Sequence, residues 1–234
     1  MSSSLSDAIK AATEQIRSAN GDPPPEPSAG FRCEQDEPIV VELVYSFLLW
    51  ESDRDSAAGS FASLREQITG LNELRVCDAE EVASMLPRGT PRREERAARL
   101  VAALNAVFER EHALSLAALS EISKREARQY LDALDGMHPF VAARVVLIAL
   151  GGHAMPADDR IAEVLAHRGV IDDLTLGHAE LSAQLERAVR AADARQVYAV
   201  LETDAVRATK RSRTKGRTAK RTPAKRSRKT KAEP

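Results

Sequence analysis

Between Ser123 and Leu165 the chain sets out a run of helix starts and stops that few folds accommodate. Ser123 and Glu126 form a capping box, S-x-x-E, in which each side chain satisfies a backbone N–H near the other, so a helix begins there. It is expected to run to about Leu134 and to bury Ala127, Tyr130, Leu131 and Leu134. Asp135, Gly136, Met137 and His138 then make a hairpin, with Gly136 free to take a positive φ. Pro139 opens a second helix, which carries Val141, Val145 and Ile148 on to Leu150. After a Gly-Gly turn, Pro156, Ala157 and Asp158 lead into a third helix, Asp159 to His167, for which Asp158 is a good N-cap. Unpaired N–H groups at such a turn and helix start can hold a phosphate oxygen without any base contact. Gly136, Met137 and His138 are therefore candidate phosphate-binding residues.

The rest of the chain is also spaced for helices. Alanine, leucine and valine are abundant and only 4% of residues are aromatic, so an all-α fold is expected. Leu5, Ala8, Ile9, Ala12 and Ile16 follow a capping Ser4 and predict a short amphipathic helix. The Pro-rich stretch 21–36 then implies that this helix is loosely attached. Ile39 to Trp50 is apolar nearly all round and reads as a buried helix, with Trp50 a core residue. Further helices are expected at about 56–68, 79–86 and, behind Thr90 and Pro91, along the stripe Ala97, Leu100, Leu104, Val107 and Phe108. Arg88, Arg92, Arg93, Arg96 and Arg99 make the one dense basic patch of this region: a phosphate contact or a solvated face balanced by Glu94 and Glu95. Two more helices, about 178–191 and 194–204, complete the body.

The near-neutral formal charge of −1 hides two unlike parts. From Arg207 onward there are 13 Lys and Arg against the single acid Glu233, which leaves 21 basic and 34 acidic side chains in the body, a net of −13. With almost nothing large and apolar to bury, the segment 207–234 is expected to be disordered. Its cations, Lys210, Arg211, Arg213, Lys220, Arg221, Lys225 and Arg226 among them, suit non-specific neutralisation of DNA phosphates. The alternatives are a solubilising tail or one that folds back onto the acidic body. Cys33 and Cys77 lack Cys or His neighbours at ligand spacing, and His153, His167 and His178 form no i, i+4 pair with a carboxylate, so no metal site or cofactor is expected. No apolar run is long enough to span a bilayer, and the first residues lack the pattern of a secretory signal, so a soluble intracellular protein is expected.

The order of helix, hairpin, apolar helix, Gly-Gly turn and P-x-D resembles the helix-hairpin-helix DNA glycosylases of the endonuclease III superfamily. Their hairpin usually reads L-P-G-V-G-x-K-T-A. Here Leu134, Gly136 and Ala142 match and Met137 is similar, while His138 stands at the second glycine and Phe140 at the lysine. The resemblance implies an endonuclease III-like helical domain over about 37–206, with DNA as partner. It implies no lyase step, because the amine that would form a Schiff base is missing. It also makes Asp158 the candidate catalytic residue, the carboxylate that supports positive charge on the deoxyribose as a base departs. Its place at a helix N-terminus would favour the charged form. The four-cysteine iron–sulfur loop of endonuclease III is absent from this sequence.

Two functions follow: a monofunctional glycosylase acting through Asp158, or a non-catalytic DNA-binding protein that uses the hairpin and the tail. A protein-interaction module brought to DNA by its tail is a third. The expected location is cytoplasmic and nucleoid-associated, or nuclear if Lys225–Lys229 is an import signal. Oligomeric state is not fixed by the sequence.

Overall fold

The computed structural model of the protein describes residues 4–24, 36–172 and 174–219. Among these residues there are helices and no strands, as the spacing predicts. Helix α1 (Leu5–Asn20) begins where Ser4 Oγ accepts from Asp7 N–H. It is not loosely attached: Ile9, Ala12 and Ile16 are buried against the last two helices, and Asn20 donates to Asp204. The apolar stripe that made it amphipathic is what docks it.

Helix α2 (Pro38–Leu49) is buried on all sides, which is why its sequence shows no polar face. It packs against α3 (Arg54–Gln67), α6 (Arg93–Glu111) and α8 (Pro139–Ile148). Between α3 and α6 lie two short helices, α4 (Leu71–Val76) and α5 (Ala79–Met85). Helix α7 (Lys124–Asp132) starts on the Ser123–Glu126 capping box, both halves of which form, and packs on α8. Helix α9 (Asp159–His167) has Asp158 as its N-cap, followed by α10 (His178–Ala188) and α11 (Ala191–Ala219). Helices α1, α9, α10 and α11 pack on one another and meet α8 through α10 and α11, while α3 to α6 pack on one another and meet α2 through α3 and α6.

Three details depart from the sequence reading. Helix α6 starts after Arg92, whose backbone is left-handed at φ 49°, and not at the Thr90–Pro91 signal. Instead, Thr90 N–H closes a turn onto Pro87, and the Pro91 carbonyl accepts from Arg96. Helix α4 was not expected: its start is Gly70, without a side-chain cap. Helix α11 continues as helical backbone to Ala219 and so takes in the first part of the basic segment, while 220–234 lie outside the described residues. Among the described residues no helix is long and apolar enough to cross a membrane.

Candidate functional site

The end of α2, the start of α6, the hairpin and the starts of α9 and α10 converge on one place. The end of α2 determines what can happen there. Its last carbonyls have no partners within the helix, and two arginines from elsewhere supply them. Arg96, from α6, donates to the carbonyls of Phe47, Trp50 and Pro91. Arg160, from α9, donates to those of Leu49 and Ser52. Arg96 is fully buried, so it belongs to this cap and not to a surface basic patch. Burial first, then its neighbour Arg160, pushes its pKa down to about 10, still far above neutrality.

Asp158 sits directly beneath this cap and is fully buried. One oxygen accepts from Ile161 N–H at 3.0 Å, as an N-cap does. The other accepts from Glu51 N–H at 3.1 Å and from Arg160 Nε and Nη2 at 3.0 and 2.8 Å. Burial works against the charge on Arg160, but Asp158, with Tyr198 and Glu202, outweighs it and holds the guanidinium above its ordinary pKa. The carboxylate is thus enclosed by the donors that orient it.

Glu51, next along from Trp50, has a left-handed backbone at φ 53° and a half-buried carboxyl. Its Oε1 accepts from Asp159 N–H at 2.9 Å. Burial, then the charges of Asp158 and Asp159, raises its pKa above the ordinary glutamate value. A non-glycine residue in this region is strained, and the bond from its N–H to Asp158 holds it there. Nothing local in the sequence marks Glu51 or Arg160, because both are placed by elements about a hundred residues away.

In the hairpin, Gly136 takes φ 73°. A Cβ on it would lie 2.4 Å from the Arg99 carbonyl oxygen and 2.8 Å from Ala102 Cβ, so this turn is pressed against the backbone of α6. Met137 is half-buried, and its N–H closes the turn onto the Leu134 carbonyl. The His138 ring stacks on Trp50 with centroids 4.1 Å apart and caps α8 itself, its Nδ1 accepting from Phe140 N–H at 3.2 Å. One helix-start N–H of the hairpin is therefore occupied by the side chain that replaces the second glycine. Burial, then His178 and Arg99, pushes the His138 pKa down to about 4. The ring is neutral at pH 7, and with Nδ1 accepting, its proton is on Nε2. That proton faces His178 Nδ1 at 3.4 Å, and His178 Nε2 in turn meets Asp159 Oδ1 at 2.8 Å. Phe140, at the lysine position of the resembled motif, is buried in the core.

Lys210, Arg211 and Arg213 lie in the last turns of α11, where only the backbone is described, while Lys220, Arg221, Lys225 and Arg226 lie outside the described residues. His153 meets the Val189 carbonyl and takes no part in the site.

No protein-family model and no curated protein matches the chain. Solved structures do. A trapped covalent endonuclease III–DNA intermediate is similar at a TM-score of 0.63 and 13% identity, over 86% of this chain and 85% of that one. A non-covalent endonuclease III–DNA complex has a TM-score of 0.62 at 14% identity, again over 86% and 85%. A thermostable thymine-DNA glycosylase has a TM-score of 0.56 at 14% identity, over 86% of both chains. The chain has the helix-hairpin-helix DNA glycosylase fold.

Proposed function

We propose that this protein binds DNA on the glycosylase scaffold and does so without base-excision chemistry. The observation that carries the reading is the state of Asp158. It is fully buried, and its oxygens are taken by Ile161 N–H, Glu51 N–H and the Arg160 guanidinium. A carboxylate placed to support charge on a sugar must face that sugar, whereas this one faces its own scaffold. The position that holds the lysine in the resembled motif is a core phenylalanine, which supports the same reading. DNA as partner rests on the fold, on the hairpin turn and on the 13 Lys and Arg from 207 onward. That many cations on an otherwise acidic chain give the tail most of the affinity, and a protein of this kind would be found with the nucleoid.

A second reading, a monofunctional glycosylase, is favoured by one observation. Beside the Arg160-paired carboxylate of Asp158 stands Glu51, a carboxyl that burial makes reluctant to ionise. A carboxyl that holds its proton beside the site is what acid-assisted departure of a base requires. One experiment separates the two readings: oligonucleotides carrying a panel of damaged and mispaired bases are incubated with the purified chain, and abasic sites are revealed with alkali. No cleavage on any substrate, together with tight and salt-sensitive binding, is the expected result. Excision that disappears in a folded Asp158→Asn variant would overturn it.

A further inference from the structure

The mouth of the site holds a group of side chains to which the proposed DNA contacts assign no role. Glu51 follows α2, Asp159 is the first residue of α9 and His178 the first of α10. Each offers one ligand atom, and the three atoms lie within 4.8 Å of one another. We infer that Glu51, Asp159 and His178 form a binding site for a divalent transition metal of the zinc class, with one position open to solvent.

The donor set decides the class of metal. One imidazole nitrogen and two carboxylate oxygens suit zinc, whereas calcium and magnesium take oxygen ligands. The three residues come from three separate elements, so the ligands are fixed by the packing of the fold and not by a flexible loop. The surroundings also resemble the second layer of a metal site. Asp159 presents Oδ1 to His178 at 2.8 Å and Oδ2 to Arg92 at 3.7 Å, so one oxygen is available to a metal while the other stays oriented by a cation. Behind His178 stands His138.

Binding has a visible consequence. In the metal-free state the proton on His178 Nε2 points at Asp159, and a metal must replace it. A neutral His178 then carries its proton on Nδ1, which faces the N–H of His138 at a separation of 3.4 Å. The rings, inclined at 61°, must move apart. Because His138 stacks on Trp50, the one tryptophan of the chain, indole fluorescence reports occupancy.

The test is titration of zinc chloride into the full chain in chelator-free buffer, followed by calorimetry, by Trp50 fluorescence and by thermal melting, with cobalt as a spectroscopic substitute. One equivalent per chain is expected, with a change in indole emission, a rise in Tm and the visible absorption of low-coordinate cobalt. His178→Ala, Glu51→Gln and Asp159→Asn should each remove all four signals, while Cys77→Ser and His153→Ala keep them. Asp159 is exposed, so its variant folds even where a change at His178 disturbs the hairpin. Zinc binding of equal strength in all three ligand variants, or none in the unaltered chain at about 1 mM zinc, would overturn the assignment. Neither result depends on whether the protein binds DNA.

Discussion

Gly136 and Asp158 are the residues on which the site depends most, and each fails in a different way when changed. Alanine at Gly136 would be forced to a positive φ and would also push a methyl group into the Arg99 carbonyl, 2.4 Å away. Strain and overpacking together should cost about 3 kcal/mol, read as a shift of the urea midpoint with the slope unchanged. At Asp158, alanine removes the N-cap of α9 and leaves Arg160 as a buried, unpaired cation. The expected loss is about 3–5 kcal/mol. Asparagine keeps one acceptor oxygen, enough to cap Ile161 N–H, but turns its NH2 toward Arg160 and the Glu51 N–H, so Asp158→Asn should be milder than alanine only by the retained cap. If the two variants unfold at the same midpoint as the parent chain, the ion pair is not holding α9 to α2. The glycine was legible in the sequence because its demand is local, a turn between two helices. The burial of Asp158 was not. Its N-cap role follows from the next helix, but the guanidinium and the Glu51 N–H that enclose it are set by tertiary packing.

At the scale of elements, helix starts were readable where a cap or a clear apolar period marks them: α5 and α10 begin at Ala79 and His178, as the spacing predicts, although neither has a side-chain cap. The capping box at Ser123 and the caps at Ser4 and Asp158 fall where the sequence puts them. Helix α4 has six residues, too few to show a period, and a glycine start without a side-chain bond, so nothing announced it. The start of α6 lies two residues later than the Thr90 signal: Thr90 N–H is taken by the Pro87 turn, Arg92 is left-handed, and Arg96 holds the Pro91 carbonyl together with the end of α2. The hairpin illustrates the same limit with a functional consequence. From the sequence, His138 is a substitution at a glycine; in the fold it is a cap on α8, stacked beneath Trp50. Replacing His138 with glycine should free the Phe140 N–H for a phosphate oxygen and strengthen DNA binding, while losing about 1 kcal/mol of stability with the ring stack. Fluorescence anisotropy with a labelled duplex at fixed salt checks the first part and urea denaturation the second. Weaker DNA binding by a variant that is still folded would mean that the hairpin does not meet phosphate through this helix start.

The whole molecule joins a body of net charge −13 to a segment that carries 13 of the 34 basic residues. A body of that sign repels a phosphate backbone except where cations cluster. Around the mouth that clustering is modest. Arg92 and Arg99 are both paired with Glu95 on their own helix, and Arg96 is buried. Under the proposed function, the affinity for DNA is expected to come chiefly from the residues from Arg207 onward, with the hairpin adding position more than strength. This division predicts the behaviour of a chain cut after Val206. Among the described residues the buried core ends at Ala205, so the shortened body should melt within a degree or two of the full chain. Its DNA binding should fall sharply, and the dependence on salt should fall with it. If about six phosphates are neutralised by the segment, the slope of log K against log salt goes from near −5 to near zero. A shortened chain that keeps both its affinity and its slope would place the DNA contact on the body. The Arg92–Glu95–Arg99 face would then have to open its own ion pairs on binding, and Glu95→Gln would strengthen the complex.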